Sequence, residues 1–335
     1  LRSLLGPEPG TPRPPLLRDQ YGQTRLDLAR RGLEQVLRRE EWDYSDPVQG
    51  GVRRLRPRAE DFAGTPLAAL FPYVEKNFAA MLLPRRTCYW GFFTDEPFDA
   101  HFFGGIWPEI LGTLYLTVGT LLLAVPMGVL AAIYLAEYAR ETRFLAGLRT
   151  CINTLAGVPS VVFGLFGLAF FINAVHVSPS KSVLAGSLTL ALMILPTVIR
   201  ASEEAIRAVP RAFKEAALSL GAGRWHAVRS VILPAALPGV LTGVVISMGR
   251  AAGETAPIIF TAAVSVGKPL AIWQTLTQPT PALSWNIYNL ATEHEAVDLV
   301  RHVQYGLALT LVGLVLLLNL AAIVLRARLA RRMRN

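Results

Sequence analysis

Apolar and polar positions follow two regimes along the chain. Up to about residue 105 they are mixed. "GPEPGTPRPPLL" is a Pro-rich lead that cannot be helical. "TRLDLARRGLEQVLRREEW" places Leu26, Leu33, Val36 and Leu37 at helical spacing with charges elsewhere, which predicts an amphipathic helix. "GGVRRLRPR" reads as a basic loop. "CYWGFFTDEPFDAHFFGGIWPEI" combines aromatic rings with acids and suits a membrane–water interface just before a span.

Beyond residue 105 the apolar positions gather into runs near the roughly 20 residues needed to cross about 30 Å of hydrocarbon. Five spans are predicted, over about 110–136, 152–175, 182–199, within 231–264, and 305–325. Pro126, Pro159 and Pro196 lie inside the first three, and neighbouring helices can resatisfy the backbone groups they free. The fourth run is too long to be one span. Its 34 residues would make a helix of about 51 Å. A break at Pro234 and Pro238 is therefore expected. With the span starting near Gly239, Arg250 would lie about 17 Å in, near the midplane.

Charge fixes an expected orientation. Arg140, Arg143 and Arg149 follow the first span. Arg200, Arg207, Arg211, Lys214, Arg224 and Arg229 lie at or after the third, and Arg326, Arg328, Arg331, Arg332 and Arg334 follow the fifth. The alternate loops hold only Lys181, Lys268 and Arg301. The basic side is expected to be cytoplasmic, the C-terminus with it, and residues 1–105 to form a periplasmic extra-membrane segment. Residues 106–335 are expected to form the membrane domain, with a cytoplasmic loop over 201–230.

Composition narrows the chemistry. The chain has 335 residues, 52% of them hydrophobic, and a formal net charge of +9. Residues 1–105 hold 15 basic and 14 acidic residues, so most of the excess lies in the short loops and the tail. No groove-reading or base-stacking motif accompanies it, so nucleic acid is not an expected partner and anionic membrane lipid is. Two cysteines and five scattered histidines give no disulfide framework or metal-ligand spacing. There is no GxxxxGK[ST] loop and no catalytic cluster. No cofactor is expected, and nucleotide chemistry would belong to a separate subunit.

The loop after the third span is longer than a connection between helices requires. It opens with Glu215, Ala216 and Ala217, turns at Gly221 and re-enters the apolar run at Leu233–Pro234. The pattern E-A-A, three residues, G, nine residues, I-x-L-P resembles the signature of ABC importer permeases, with Val231 where Ile is usual. "INTLAGVPSVVFGLFGLAFF", "LPTVIRASEEAIRAVPRAFKEAALSLGA" and "LPGVLTGVVISMGRAAGETAPIIFTAA" extend the resemblance to the A-type permease subunits of Pst-type phosphate importers over about residues 104–335. The resemblance implies an all-α polytopic membrane protein with a MetI-like helix bundle. Five of the usual six spans are visible, consistent with a missing first span. It also implies a paired C-type permease, a cytoplasmic ATPase dimer, a periplasmic phosphate-binding protein and inorganic phosphate as substrate. Glu215, Ala216, Ala217, Gly221, Leu233 and Pro234 would then couple the chain to the ATPase.

Arg250 and Glu254 lie four apart and share a helix face. Ionisable residues within a span usually line a functional interior, and Arg forks onto phosphate oxygens. The pair can meet the anion during passage, or it can be a structural ion pair that neutralises itself. Arg200 can be a snorkelling anchor, and the resemblance implies a translocation role. Permeation of another oxyanion (phosphonate, sulfate or molybdate) is the alternative function. A membrane enzyme would need more polar groups inside the spans, and a passive scaffold leaves the intramembrane charges unexplained.

Overall fold

The computed structural model describes residues 33, 37–43, 52–81, 90–98, 100–101, 103–295 and 297–332. The Pro-rich lead and most of the expected amphipathic helix lie outside the described residues. The chain divides into two compact units, with the boundary between Gly91 and Phe92.

In the first unit, β1 (Arg38–Asp43) pairs antiparallel with β2 (Val52–Pro57). The end of the expected helix and the expected basic loop are thus strands. Glu41 sits opposite Arg54 and diagonal to Arg56, whose guanidinium lies 4.0 Å from Glu41 and 2.8 Å from Glu60. α1 (Leu70–Met81) buries Leu70, Phe71 and Val74.

The second unit opens with a two-residue hairpin, β3 (Pro97–Phe98) and β4 (Phe103–Gly104). α2 (Trp107–Ile133) continues through a π-helical turn to Tyr138. α3 (Arg143–Leu155) meets α4 (Ser160–Gly167, extended by a π segment to Ala174) at 99°. α5 (Val183–Arg207) is followed by the short α6 (Arg211–Ser219). α7 (Arg224–Ala227) runs through a π turn, Val228–Ile232, into α8 (Leu233–Gly253). α9 (Ala256–Thr261), α10 (Leu283–Thr292) and α11 (Val297–Arg332) complete it.

Among the described residues, four helices are long and apolar enough to cross a membrane, or five if the bent pair α3–α4 counts as one. The expected second span is therefore bent rather than continuous. Pro159 sets the corner as the N-cap of α4, because the residue before a proline is pushed out of the helical region. The third span runs two turns beyond Ile199, so the expected loop over 201–230 begins only after Arg207.

The expected break at Pro234 and Pro238 is also corrected. The helix is continuous from Arg224 to Gly253. The π turn ahead of Pro234 widens the coil, with Leu233 N–H bonding the Val228 carbonyl five residues back, and makes room for the proline ring. The break falls at Glu254–Thr255 instead. There Pro257 has no N–H for the Gly253 carbonyl and its ring clashes with it, and Gly253 is itself a weak helix residue.

α2, α5 and α8 form the centre of the bundle. α5 and α8 run antiparallel so closely that a Cβ at Gly239 would come within 2.7 Å of the Ala205 Cβ, and one at Gly243 within 2.3 Å of the Ala201 Cβ. The core gathers Leu116, Ala124, Phe163, Leu190, Ile194 and Ile258 from α2, α4, α5 and α9. At the α10 end of the bundle lies a buried polar cluster. Glu109, in the first turn of α2, lies 2.8 Å from His101 Nε2 and accepts from Asn286 Nδ2 at 3.0 Å. His101 and Glu109 are 2% and 0% exposed. The helix N-terminus favours the carboxylate there.

Asn286→Ala removes one donor from this buried acid and is expected to lower stability by about 1–3 kcal/mol. Asn286→Asp sets a second carboxylate against Glu109 and is expected to cost more. Thermal unfolding in detergent checks the order, and an Asn286→Ala variant as stable as wild type would show that this donor does not hold the cluster.

Candidate functional site

The break in α8 carries the expected pair. Arg250 is in the last helical turn, and Glu254 follows it with an extended backbone (φ −74°, ψ 132°). Arg250 Nε donates to Glu254 Oε1 at 3.3 Å. The side chains are 38% and 20% exposed. Among the described residues Arg250 has no other hydrogen-bond partner, so both Nη groups are uncommitted. The antiparallel contact of Gly243 with Ala201 puts Arg250, seven residues further on, level with about residue 194, the middle of α5. Arg250 stands in the last turn of α8, where a cation offsets the negative end of the helix dipole.

Short helices hold the break in place. A Cβ at Gly164 of α4 would lie 2.9 Å from the Pro257 Cα and 3.0 Å from the Ala256 carbonyl, so α9 packs on α4 backbone to backbone. Ser284 Oγ of α10 donates to the Glu254 carbonyl, and Thr255 Oγ1 donates to the Ser284 carbonyl.

Arg200 is not brought to the pair. It lies about nine ångströms further along α5, exposed in a cleft of about 230 Å³ with Arg149, Asn153, Glu203, Glu204 and Arg207. Arg149 and Arg207 converge on Glu203 at 3.1 and 2.7 Å, and Arg149 also reaches Glu141 at 3.0 Å. These pairs tie α3 to the end of α5. Arg200 itself makes no ion pair among the described residues.

The loop motif resolves into a helix with a built end. α6 has no buried residue. It terminates in a Schellman motif: Ala222 N–H bonds the Ala217 carbonyl and Gly221 N–H bonds the Leu218 carbonyl. Gly221 has φ +82° and open space around it, so backbone conformation, not crowding, demands glycine. The spacing from Ala217 to Gly221 in the motif is thus the spacing of a helix C-cap. Glu215 and Ala216 are exposed, and Phe213, Leu218 and Leu220 present apolar surface beside them, Leu220 at 90% exposure. Lys214 pairs with Glu137 and fastens α6 to the end of the first span. Leu233 and Pro234 lie elsewhere. They start α8, with Leu233 packed against the cluster of Ile206, Val228 and Ile232. They seat the loop in the bundle rather than share the exposed face of α6.

Sequence reasoning missed Ser284, Asn286, His101 and Glu109, which sit in short polar stretches between apolar runs. It also missed Asn319, whose Oδ1 is buried and unpartnered and which lies 3.7 Å from a Cβ position at Gly249. Its signal was visible: one Asn in the otherwise apolar "LVGLVLLLNLAAIV".

Residues 124–335 match the family described as the binding-protein-dependent transport system inner membrane component. A probable ABC transporter permease protein, YqgI, of Bacillus subtilis is 34% identical over 228 residues, covering 65% of this chain and 76% of its own length. The phosphate transport system permease protein PstA 1 of Mycobacterium tuberculosis is 35% identical over 238 residues, 70% of this chain and 73% of its own. The corresponding PstA protein of Pasteurella multocida is 41% identical over 162 residues, 48% and 56% of the two chains. Among solved structures, an inward-facing MetNI methionine ABC transporter matches with a TM-score of 0.51 at 19% identity, over 67% of this chain and 94% of that one. A bacterial ABC transporter involved in import of the acidic polysaccharide alginate matches with a TM-score of 0.51 at 17% identity, over 76% and 98%. At those identities the structures speak for the fold, and the family match over more than half of the chain speaks for kinship. The chain belongs to the family of binding-protein-dependent transport system inner membrane components.

Proposed function

We propose that this chain is the A-type permease of an ATP-driven importer of inorganic phosphate. It lines the path together with a C-type permease. A periplasmic binding protein delivers the anion, and a separate ATPase dimer docks on the α6 end. The α6 end and the C-terminus face the cytoplasm, and residues 1–105 face the periplasm. The observation that carries the reading is Arg250: a guanidinium at mid-height of the bundle, beside a helix break, with both Nη groups open to a tetrahedral oxyanion. Relatives named as phosphate transport system permease proteins support phosphate as the anion. Glu254 holds Arg250 when the path is empty, and the arriving anion competes for it. Arg200, unpaired nearer the α6 end, meets the anion on its way out. The exposed apolar edge of α6 enters the ATPase, and the Lys214–Glu137 pair transmits its movement to α2.

The test is ATP hydrolysis by the purified complex in proteoliposomes with its binding protein. Phosphate is expected to stimulate it severalfold, and sulfate, molybdate and phosphonate to leave it near basal. Stimulation by one of those anions and not by phosphate would reassign the substrate.

A further inference from the structure

We propose that Ser284 is a positioning residue for Glu254, fixing through the Glu254 carbonyl where its carboxylate stands relative to Arg250. The assignment rests on the proposed role of the Arg250–Glu254 pair. Where α8 breaks, its last carbonyls lose their helical partners, and inside an apolar bundle each needs a donor. The Glu254 carbonyl finds one in the Ser284 hydroxyl at 3.1 Å. The link is reciprocal, because the Thr255 hydroxyl donates to the Ser284 carbonyl at 3.3 Å. Ser284 is 5% exposed, so water does not readily replace it. Anchoring the carbonyl fixes the Glu254 backbone where the helix no longer does, and with it the Cα–Cβ direction from which the side chain reaches Arg250.

Ser284 is itself held. It lies in the first turn of α10, where Leu283 N–H donates to Thr113 Oγ1 at 2.9 Å and Asn286 reaches Glu109 at 3.0 Å. Both tie that turn to α2. The turn therefore spans from the end of α2 to the break in α8. A cavity of about 10 Å³, room for one water at most, lies among Thr113, Thr117, Glu254 and Ser284.

The experiment uses the assembled importer with Cys88 and Cys151 replaced by Ala. Phosphate uptake is measured for Ser284→Ala and Ser284→Thr, each alone and combined with Glu254→Gln. In parallel, Gly253→Cys is labelled with a small charged methanethiosulfonate. Gly253 is exposed and a Cβ there meets nothing within 4 Å, so the thiol fits and is reachable. Ser284→Ala is expected to lower uptake about tenfold alone but less than about twofold on Glu254→Gln, the non-additivity of residues acting as a unit. Ser284→Thr keeps the hydroxyl and is expected to stay within about threefold of wild type. Labelling of Gly253→Cys is expected to change severalfold with Ser284→Ala. Equal proportional losses in both backgrounds with an unchanged labelling rate would overturn the assignment. Wild-type uptake by Glu254→Gln overturns the role of the pair instead, and the labelling rate then decides the placement by Ser284.

Discussion

Phosphate uptake by Arg250→Gln is expected to fall about ten- to a hundredfold, normalised to inserted protein. A charge-assisted hydrogen bond is worth about 1.5–3 kcal/mol, and that range spans these factors. Two effects add. The anion loses the fork offered by the free Nη groups. Glu254 also loses its partner, so an uncompensated carboxylate joins the α8 carbonyls in repelling the anion. Partial exposure of both side chains moderates the second effect. Arg250→Lys keeps the charge without the planar fork and is expected to retain more uptake than Gln. Both variants are expected to insert, because the helix is apolar enough to tolerate one polar residue. The exchange of Arg250 with Glu254 separates the two readings of the pair. Full uptake by the swapped pair, or by Arg250→Gln, would leave a purely structural ion pair.

Gly221→Val is expected to abolish most transport while leaving the bundle assembled. The residue stands at φ +82°, where a Cβ costs about 1–2 kcal/mol and a branched one more. Nothing lies near enough to clash, so the cost is paid in backbone geometry alone. The chain relieves it by giving up the Schellman bonds to Ala217 and Leu218, and the exposed edge at Leu220 then points elsewhere. Uptake is expected to drop at least about tenfold with basal ATP hydrolysis retained. Gly221→Asn is expected to remain within about twofold of wild type, because Asn tolerates the left-handed region. Phosphate moved per ATP hydrolysed in proteoliposomes is the readout, with co-purification of the ATPase as the control for assembly. Normal coupling in Gly221→Val would count heavily against docking through α6.

Where the sequence was legible, local rules decided the outcome. Apolar runs gave the long helices, and the E-A-A…G spacing gave a helix with its C-cap because both lie within one turn of each other. The prolines misled where context outweighed them. Pro234 and Pro238 looked like the break, but a π turn accommodates them, and the discontinuity falls at Gly253–Pro257, where glycine and proline act together. The "RREEW" stretch reads as helix by its neighbours, yet pairs as a strand, with Arg56 of the other strand reaching Glu41 diagonally. Arg250 and Glu254 were legible because they are four apart. Ser284 and Asn286 were not, because their partners lie 30 and 177 residues away and nothing local marks them. Arg200 shows the same limit: its charge was visible, but its separation from Arg250 depends on how α5 and α8 register.

α11 is buried deeply at one end and touches α8 further along, where Val315 and Asn319 lie beside Gly249. Val300, Val303 and Leu307 are buried against Ile106, Leu283 and Leu290, while further along Leu309, Leu316, Leu317 and Leu320 stand exposed. Only 6% of its apolar window is buried within the chain. A newly made subunit therefore carries a long greasy flank that only acyl chains or another polypeptide can shield. That flank makes the subunit's lifetime in the cell a matter of company. Synthesised in excess of whatever covers the helix, it offers membrane proteases and holding chaperones a ready mark of an unassembled subunit, so stoichiometry can be enforced by clearance as well as by matched expression.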